Sequence, residues 1–212
     1  KKIVYNYKNN VKHGAYTKYY RNGQKEEKGF LKNGKNDGIC SFWYENGRKK
    51  KEGIYKNDKG IGLWTYWYLD GEKEREGFRN NGTKSGYWEY WYANGKKKEE
   101  GIFFNGEKFG LWEFWNEKSQ KVSKGYYIHD EKEGTWKYWY GNGGEKQEGS
   151  YKNNKRNGVW TFWHEEESIV SSKGKFRNGE KDGVWYSWYE NGYRKDEIMY
   201  KNGKKSQENC WD

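Results

Sequence analysis

Glycine returns along this chain with an almost constant step: Gly14, Gly38, Gly62, Gly86, Gly110, Gly134, Gly158 and Gly183, six steps of 24 residues and one of 25. A second series follows 15 residues behind, at Gly29, Gly53, Gly77, Gly101, Gly125 and Gly149, with Gly174 displaced by one. A fixed period marks a repeat architecture, whose units bury apolar surface only by stacking on their neighbours. The frame is one array over residues 1–212. It has a partial unit 1–13, eight repeats starting at the glycines of the first series, and a C-terminal cap over about 204–212. Near-copies leave little room for a unique catalytic constellation, so the expectation is no enzyme and no cofactor.

Apolar residues make up only 32% of the chain and charged ones 34%, figures that on their own point toward disorder. The 14 Trp, 21 Tyr and 9 Phe reverse that, because each ring buries roughly 150–250 Å². The core is therefore aromatic. Proline is absent, as uninterrupted sheet ladders require.

One repeat shows the local grammar. Gly62 opens a strand, Leu63-Trp64-Thr65-Tyr66-Trp67-Tyr68, rich in aromatic and β-branched residues. Asp70-Gly71 reads as a two-residue type I′ turn, the return segment carries Gly77, and Asn81-Gly82 reverses the chain again. The fold class is all-β, an elongated array of consecutive antiparallel β-hairpins, preceded by a partial strand from Ile3 to Lys8. Alternation sends Trp64, Tyr66 and Tyr68 to one face and Leu63, Thr65 and Trp67 to the other. Two Trp columns result: Trp64, Trp88 and Trp112 in one, Trp67, Trp91 and Trp115 in the other. Either the sheet coils to cover both faces or a bulge turns the second column inward. Gly77, Gly101 and their equivalents leave room for a neighbouring ring over the backbone. Cys40 takes a Trp position, which implies buried packing, and two cysteines are no disulfide framework. The ends differ from the middle: Tyr16 and Tyr19 replace Trp, Ser187 replaces an aromatic residue, and Trp211 is placed to fold over the last strand. The fifth and seventh repeats lack Asn-Gly at the first turn, and the extra residue of the seventh belongs between His164 and Ser172.

Catalytic and metal motifs find no support. His13, His129 and His164 fall at different places in the repeat, and His164-Glu165-Glu166-Glu167 reads as a turn with solvated carboxylates. The formal charge of +11 comes from lysines interspersed with glutamates. That pattern fits a salt-bridged, solvated surface or attraction to an acidic partner, whether anionic lipid, nucleic acid or acidic protein. Arg48, Lys49, Lys50, Lys96, Lys97 and Lys98 form the candidate basic contact surface at the first turns. A protein partner is expected first and an anionic membrane surface second. Nucleic acid is disfavoured because the lysines follow both sets of turns. No run of 18 apolar residues exists to span a membrane as a helix. The chain opens at Lys1 rather than Met, which raises the expectation of a processed or trimmed form that has lost a leader.

The stretch Tyr90 to Gly106, Tyr-Trp-Tyr-Ala-Asn-Gly-Lys-Lys-Lys-Glu-Glu-Gly-Ile-Phe-Phe-Asn-Gly, resembles the MORN repeat and more closely its bacterial variant, as does Phe42 to Asp58. The choline-binding cell-wall modules, with shorter units and another Trp-Tyr placement, fit less well. The resemblance implies consecutive hairpins, a non-catalytic scaffold for protein–protein interaction, and in some members binding of acidic phospholipid. It also brings the label of YwqK-type antitoxin that bacterial members often carry. A secreted or cell-envelope location is expected from it, with the cytoplasm as the alternative.

Overall fold

The computed structural model describes residues 2–166 and 168–210, apart from the Cys210 side chain. The expected fold-over by Trp211 lies outside these residues. Two compact units divide the chain, Lys1–Glu107 and Lys108–Asp212. In the first, Lys2–Val4, Gly14–Tyr19, Lys25–Lys32, Gly38–Trp43, Lys49–Lys56, Lys59–Trp67, Lys73–Asn80, Thr83–Trp91 and Lys97–Phe104 follow one another as antiparallel neighbours. In the second the meander runs from the Glu107–Trp115 strand through Lys121–Ile128, Glu131–Trp139, Glu145–Lys152, Lys155–Trp163, Val170–Arg177, Glu180–Trp188 and Arg194–Lys201 to Lys204–Cys210. The expected lone strand Ile3–Lys8 is instead two pieces. Lys2–Val4 pairs with Gly14–Tyr19, and Tyr7–Lys8 forms its own small hairpin with Val11–Lys12.

The two turns of each repeat differ. At Asn33-Gly34, Asn57-Asp58, Asn81-Gly82 and Asn105-Gly106 both residues have positive φ, the type I′ turn read from sequence. Asp70-Gly71 corrects the other reading, since only Gly71 has positive φ, at 102°. Gly71 N–H donates to the Tyr68 carbonyl (3.1 Å) and Tyr68 N–H to that of Glu72 (2.8 Å). That is a three-residue loop in which a left-handed residue follows a type I turn. The Asp70 carboxylate accepts the Glu72 N–H at 3.1 Å, so an Asx residue suits this turn for its side chain rather than its φ. The insertion in the seventh repeat falls in the loop between Trp163 and Val170, among described residues other than Glu167.

Gly62 does not open its strand. The strand begins at Lys59, and Gly62 lies inside it with φ +64°. Against the preceding strand the register jumps: Gly53 faces Trp64, but Ile54 faces Ile61, leaving Gly62 and Leu63 as a bulge. The same jump recurs at Gly86-Tyr87 and, in the second unit, at Gly134-Thr135, Gly158-Val159 and Gly183-Val184. Positive φ in a bulge is what the first glycine series supplies. The bulge takes a ladder donor from one carbonyl, and after Gly86, Gly134, Gly158 and Gly183 the Trp two residues on replaces it, whereas the buried Trp64 Nε1–H after Gly62 makes no such bond. Trp88 Nε1–H donates to the Phe78 carbonyl (2.9 Å), Trp136 to that of Tyr126 (3.0 Å), Trp160 to that of Ser150 (2.9 Å) and Trp185 to that of Lys175 (3.1 Å).

The second glycine series seats those indoles. A Cβ on Gly77 would stand 2.3 Å from Trp88 Cδ2, and on Gly53, Gly125, Gly149 and Gly174 it would meet Trp64, Trp136, Trp160 and Trp185 just as closely. Trp88, Trp112, Trp136 and Trp160 are fully buried as a result. Cys40 fills the equivalent place over Gly29, where a Cβ would lie 2.6 Å from its Sγ. Burial there pushes its thiol pKa up. At the last return strand, which no Trp follows, the glycine is replaced: Trp185 faces Ile198, which on its other side faces Glu208.

Candidate interaction surface

The face carrying Trp64 is filled by its own side chains. In the first unit Trp64, Tyr66, Trp88 and Tyr90 step along at ring-centroid distances of 6.1, 6.3 and 6.1 Å. In the second, Trp112, Phe114, Trp136, Tyr138, Trp160, Phe162 and Trp185 do the same. A cation covers each large ring: Lys84 stands 5.1 Å over Trp88, Lys108 4.0 Å over Trp112, Lys132 4.1 Å over Trp136, Arg156 4.4 Å over Trp160 and Lys181 4.1 Å over Trp185. Lys132 sits among three rings, with Tyr138 and Tyr151 at 5.3 and 5.2 Å, and burial lowers its pKa. In the third repeat Gly60 occupies the cation position. Arg79 from the next strand crosses over instead, 5.5 Å from Trp64, taking the place that Tyr55 or Phe103 holds elsewhere. In sequence these cations look like generic surface charge. Their fixed place two residues before the first-series glycine was the available signal.

A second link joins successive repeats. Four tyrosines just after the second aromatic column donate their hydroxyls to the carbonyl of the next Trp in that column: Tyr20 to Trp43 (2.7 Å), Tyr44 to Trp67, Tyr68 to Trp91 and Tyr140 to Trp163 (each 2.8 Å). His164 occupies that column, and its Nε2 lies 2.9 Å from the Trp188 carbonyl. The acceptor fixes Nε2 as the protonated nitrogen. His13 packs edge-on to Phe30 and His129 forms a type I′ turn, so the three histidines stand in three unrelated settings.

The opposite face carries Trp67, Trp91 and Trp115, each half-buried. A bulge does exist at this column, but it does not turn the Trp inward. Trp67 faces Lys73 and Tyr66 faces Arg75, so the extra residue Glu74 brings Lys73 onto the Trp67 face. The shift lets Lys73 reach Glu76 (3.1 Å) and Lys49 reach Glu52 (2.8 Å), three-residue spacings that regular strand alternation would send to opposite faces. Lys49 also lies 5.3 Å over the Trp67 ring and Lys73 5.1 Å over Trp91.

The expected basic surface is therefore divided. Lys49 and Lys97 are held in ion pairs, Lys97 with Glu89 (2.9 Å) and Glu100. Lys50 and Lys98 lie over the rings of Tyr44 and Tyr92, at 5.3 and 5.5 Å. Arg48 donates to the Asp70 carbonyl, and the Lys96 amide N–H donates to the Asn94 side chain at 3.1 Å. Of the residues expected to build the repeat, Gly62, Gly86 and Gly110 have positive φ; Trp64, Trp88 and Trp112 are buried; Gly77 seats Trp88; and Gly101 faces Trp88 across the ladder.

Next to the Trp67 column, on the same face, runs a stripe of exposed apolar side chains in the first unit. Ile39 pairs with Ile54, Leu63 with Phe78 and Tyr87 with Ile102, each residue 40–65% exposed. The same register in the second unit runs Leu111 with Tyr126, Thr135 with Ser150, Val159 with Lys175 and Val184 with Met199. Polar residues at that column leave the fold intact, so the apolar run of the first unit is not demanded by the architecture.

Ladder, glycine seats and stacked indoles define a β-hairpin repeat scaffold. The chain belongs to the MORN repeat variant family, whose model matches residues 12–33, 36–57, 84–105, 132–153 and 181–208, more than half of its length. Family members form repeat scaffolds that often bind proteins or membrane lipids. No curated protein matches the chain.

Proposed function

We propose that this chain is a non-catalytic scaffold that holds a protein partner on the apolar stripe of its first unit. One observation carries the reading: Ile39, Ile54, Leu63, Phe78, Tyr87 and Ile102 form an uninterrupted exposed apolar run, whereas the same register in the second unit, which also holds Leu111, Tyr126, Val159 and Met199, is broken by Thr135, Ser150 and Lys175. A row of Lys–Glu pairs beside the stripe argues against the membrane alternative, because a bilayer would strip water from those charges. Export to the cell envelope, and pairing with a toxin, belong to the proposal through the family resemblance alone; cell fractionation and co-purification decide them. The test of the main reading is chemical crosslinking in native lysate with the full chain and with a Leu63→Ser/Phe78→Ser variant. Partner crosslinks lost in the variant support it. Crosslinks equal in both, or lost instead in Thr135→Lys, refute it.

A further inference from the structure

The stripe has a charged shoulder. At the second turns of the first unit, Lys32 faces Lys35 and Lys56 faces Lys59 directly across the hairpin. Like charges placed directly opposite destabilise a hairpin. Lys152 with Lys155 and Lys201 with Lys204 repeat the pairing, yet the architecture does not require it, because other matching places hold Asn80 with Thr83, Ile128 with Glu131 and Arg177 with Glu180. Lys35, Lys56 and Lys59, with Asn57, Asn80 and Asn81, line an open hollow of about 440 Å³. Two carboxylates are near. Asp37 lies 3.3 Å from Lys56, and Asp58 accepts the Asn36 amide N–H at 2.7 Å. Three exposed lysines against two engaged acids leave the hollow with a net positive charge.

Strand alternation puts this hollow and the stripe on one face. Lys56 is two residues beyond Ile54, Asn80 two beyond Phe78, and Ile61 faces Ile54. Apolar side chains and ammonium groups are therefore presented together, to one ligand. We infer that the partner segment is amphipathic and acidic: its apolar side chains lie along Ile54, Leu63 and Phe78, and its Asp or Glu carboxylates enter the hollow between Lys35, Lys56 and Lys59. The inference rests on the protein-binding reading above. A free inorganic anion would use the lysines and leave the stripe bare. A bilayer would need to cover the neighbouring Lys49–Glu52 and Lys73–Glu76 pairs as well.

The test uses the full chain and two labelled peptides of about 20 residues, with leucine on one face and glutamate or lysine on the other, read by fluorescence anisotropy. The glutamate peptide should bind about tenfold more tightly than the lysine peptide, and the preference should shrink as salt screens the lysines. Lys35→Gln/Lys56→Gln/Lys59→Gln should abolish the preference while leaving weak binding, and Leu63→Ser/Phe78→Ser should abolish binding of both peptides. Equal binding of the two peptides, or an unchanged preference in the lysine variant, overturns the acidic assignment and leaves the stripe reading standing. Binding unaffected by the stripe variant overturns the stripe reading instead. Sedimentation with phosphatidylserine vesicles that needs the same lysines, with neither peptide bound, overturns both in favour of a membrane.

Discussion

Gly77→Ala should be among the most damaging single-methyl additions this chain can suffer. Gly77 has an ordinary negative φ, so by backbone criteria alanine is acceptable there and would be favoured by roughly 0.5–1 kcal/mol through chain entropy. The new Cβ, however, would lie 2.3 Å from Cδ2 and 2.4 Å from Cγ of Trp88. Ordinary carbon contact begins near 3.5 Å, so the indole must lift by roughly 1 Å. Lifting it breaks the 2.9 Å Nε1–H bond to the Phe78 carbonyl, worth about 1 kcal/mol, and strips packing from a fully buried Trp. Complete loss of such a ring costs about 3–5 kcal/mol, so a net destabilisation of about 2–4 kcal/mol is expected for its displacement. Urea unfolding by circular dichroism gives the global effect, and hydrogen exchange over residues 73–91 places it locally, since repeat arrays need not unfold as one unit. Gly77→Ala/Trp88→Ala should be no less stable than Trp88→Ala alone, because the clash has lost its partner. Additive losses in the double variant, or a Gly77→Ala protein as stable as the parent, would refute the steric account.

Other consequences are smaller. Ser119 holds the left-handed position of a first turn at φ +66°, where its neighbours have glycine, so Ser119→Gly should stabilise by about 1 kcal/mol in thermal melts. Tyr68→Phe removes the hydroxyl that reaches the Trp91 carbonyl and should cost about 1–2 kcal/mol, visible as faster amide exchange between the third and fourth repeats. Burial raises the pKa of Tyr44, Tyr68, Tyr90, Tyr138 and Tyr140, meaning that the folded state favours the neutral phenol. Their stabilisation is full below the unfolded value of about 10 and is lost as pH rises through the folded values. Tyrosinate absorbance should therefore lag behind free tyrosine on alkaline titration and rise together with loss of the circular dichroism signal; a normal titration with the fold intact would contradict this.

Period and composition revealed the hairpin array because both are properties of the chain in order. The ring seats were legible too, since a glycine column fifteen residues behind another invites a steric reason. What stayed hidden depends on register. Nothing in Gly62-Leu63 announces that two residues drop out of the ladder against one neighbour while staying paired with the other. Glu74 gives no sign that it shifts Lys73 to the face of Trp67. For the same reason the lysines at the first turns looked like a free basic patch, although the bulge hands Lys49 to Glu52. The apolar stripe was visible as Leu63, Phe78 and Tyr87, but its exposure is a fact of packing and emerges only when the other face is seen to be full.

Ile198 carries a consequence for where further repeats could be inserted. Gly53, Gly77, Gly125, Gly149 and Gly174 are each cut for an indole supplied by the strand that comes next, and Gly29 for Cys40 in the same way, so each of these strands states in advance what will follow. Ile198 is the first return strand to withdraw that statement. Whole repeats could be duplicated upstream of it, each new Gly finding its Trp, whereas a repeat grafted after it would bring an indole to a place already occupied. Tolerance of an added repeat is thus set locally, by the side chain that faces the next strand, rather than by the array as a whole.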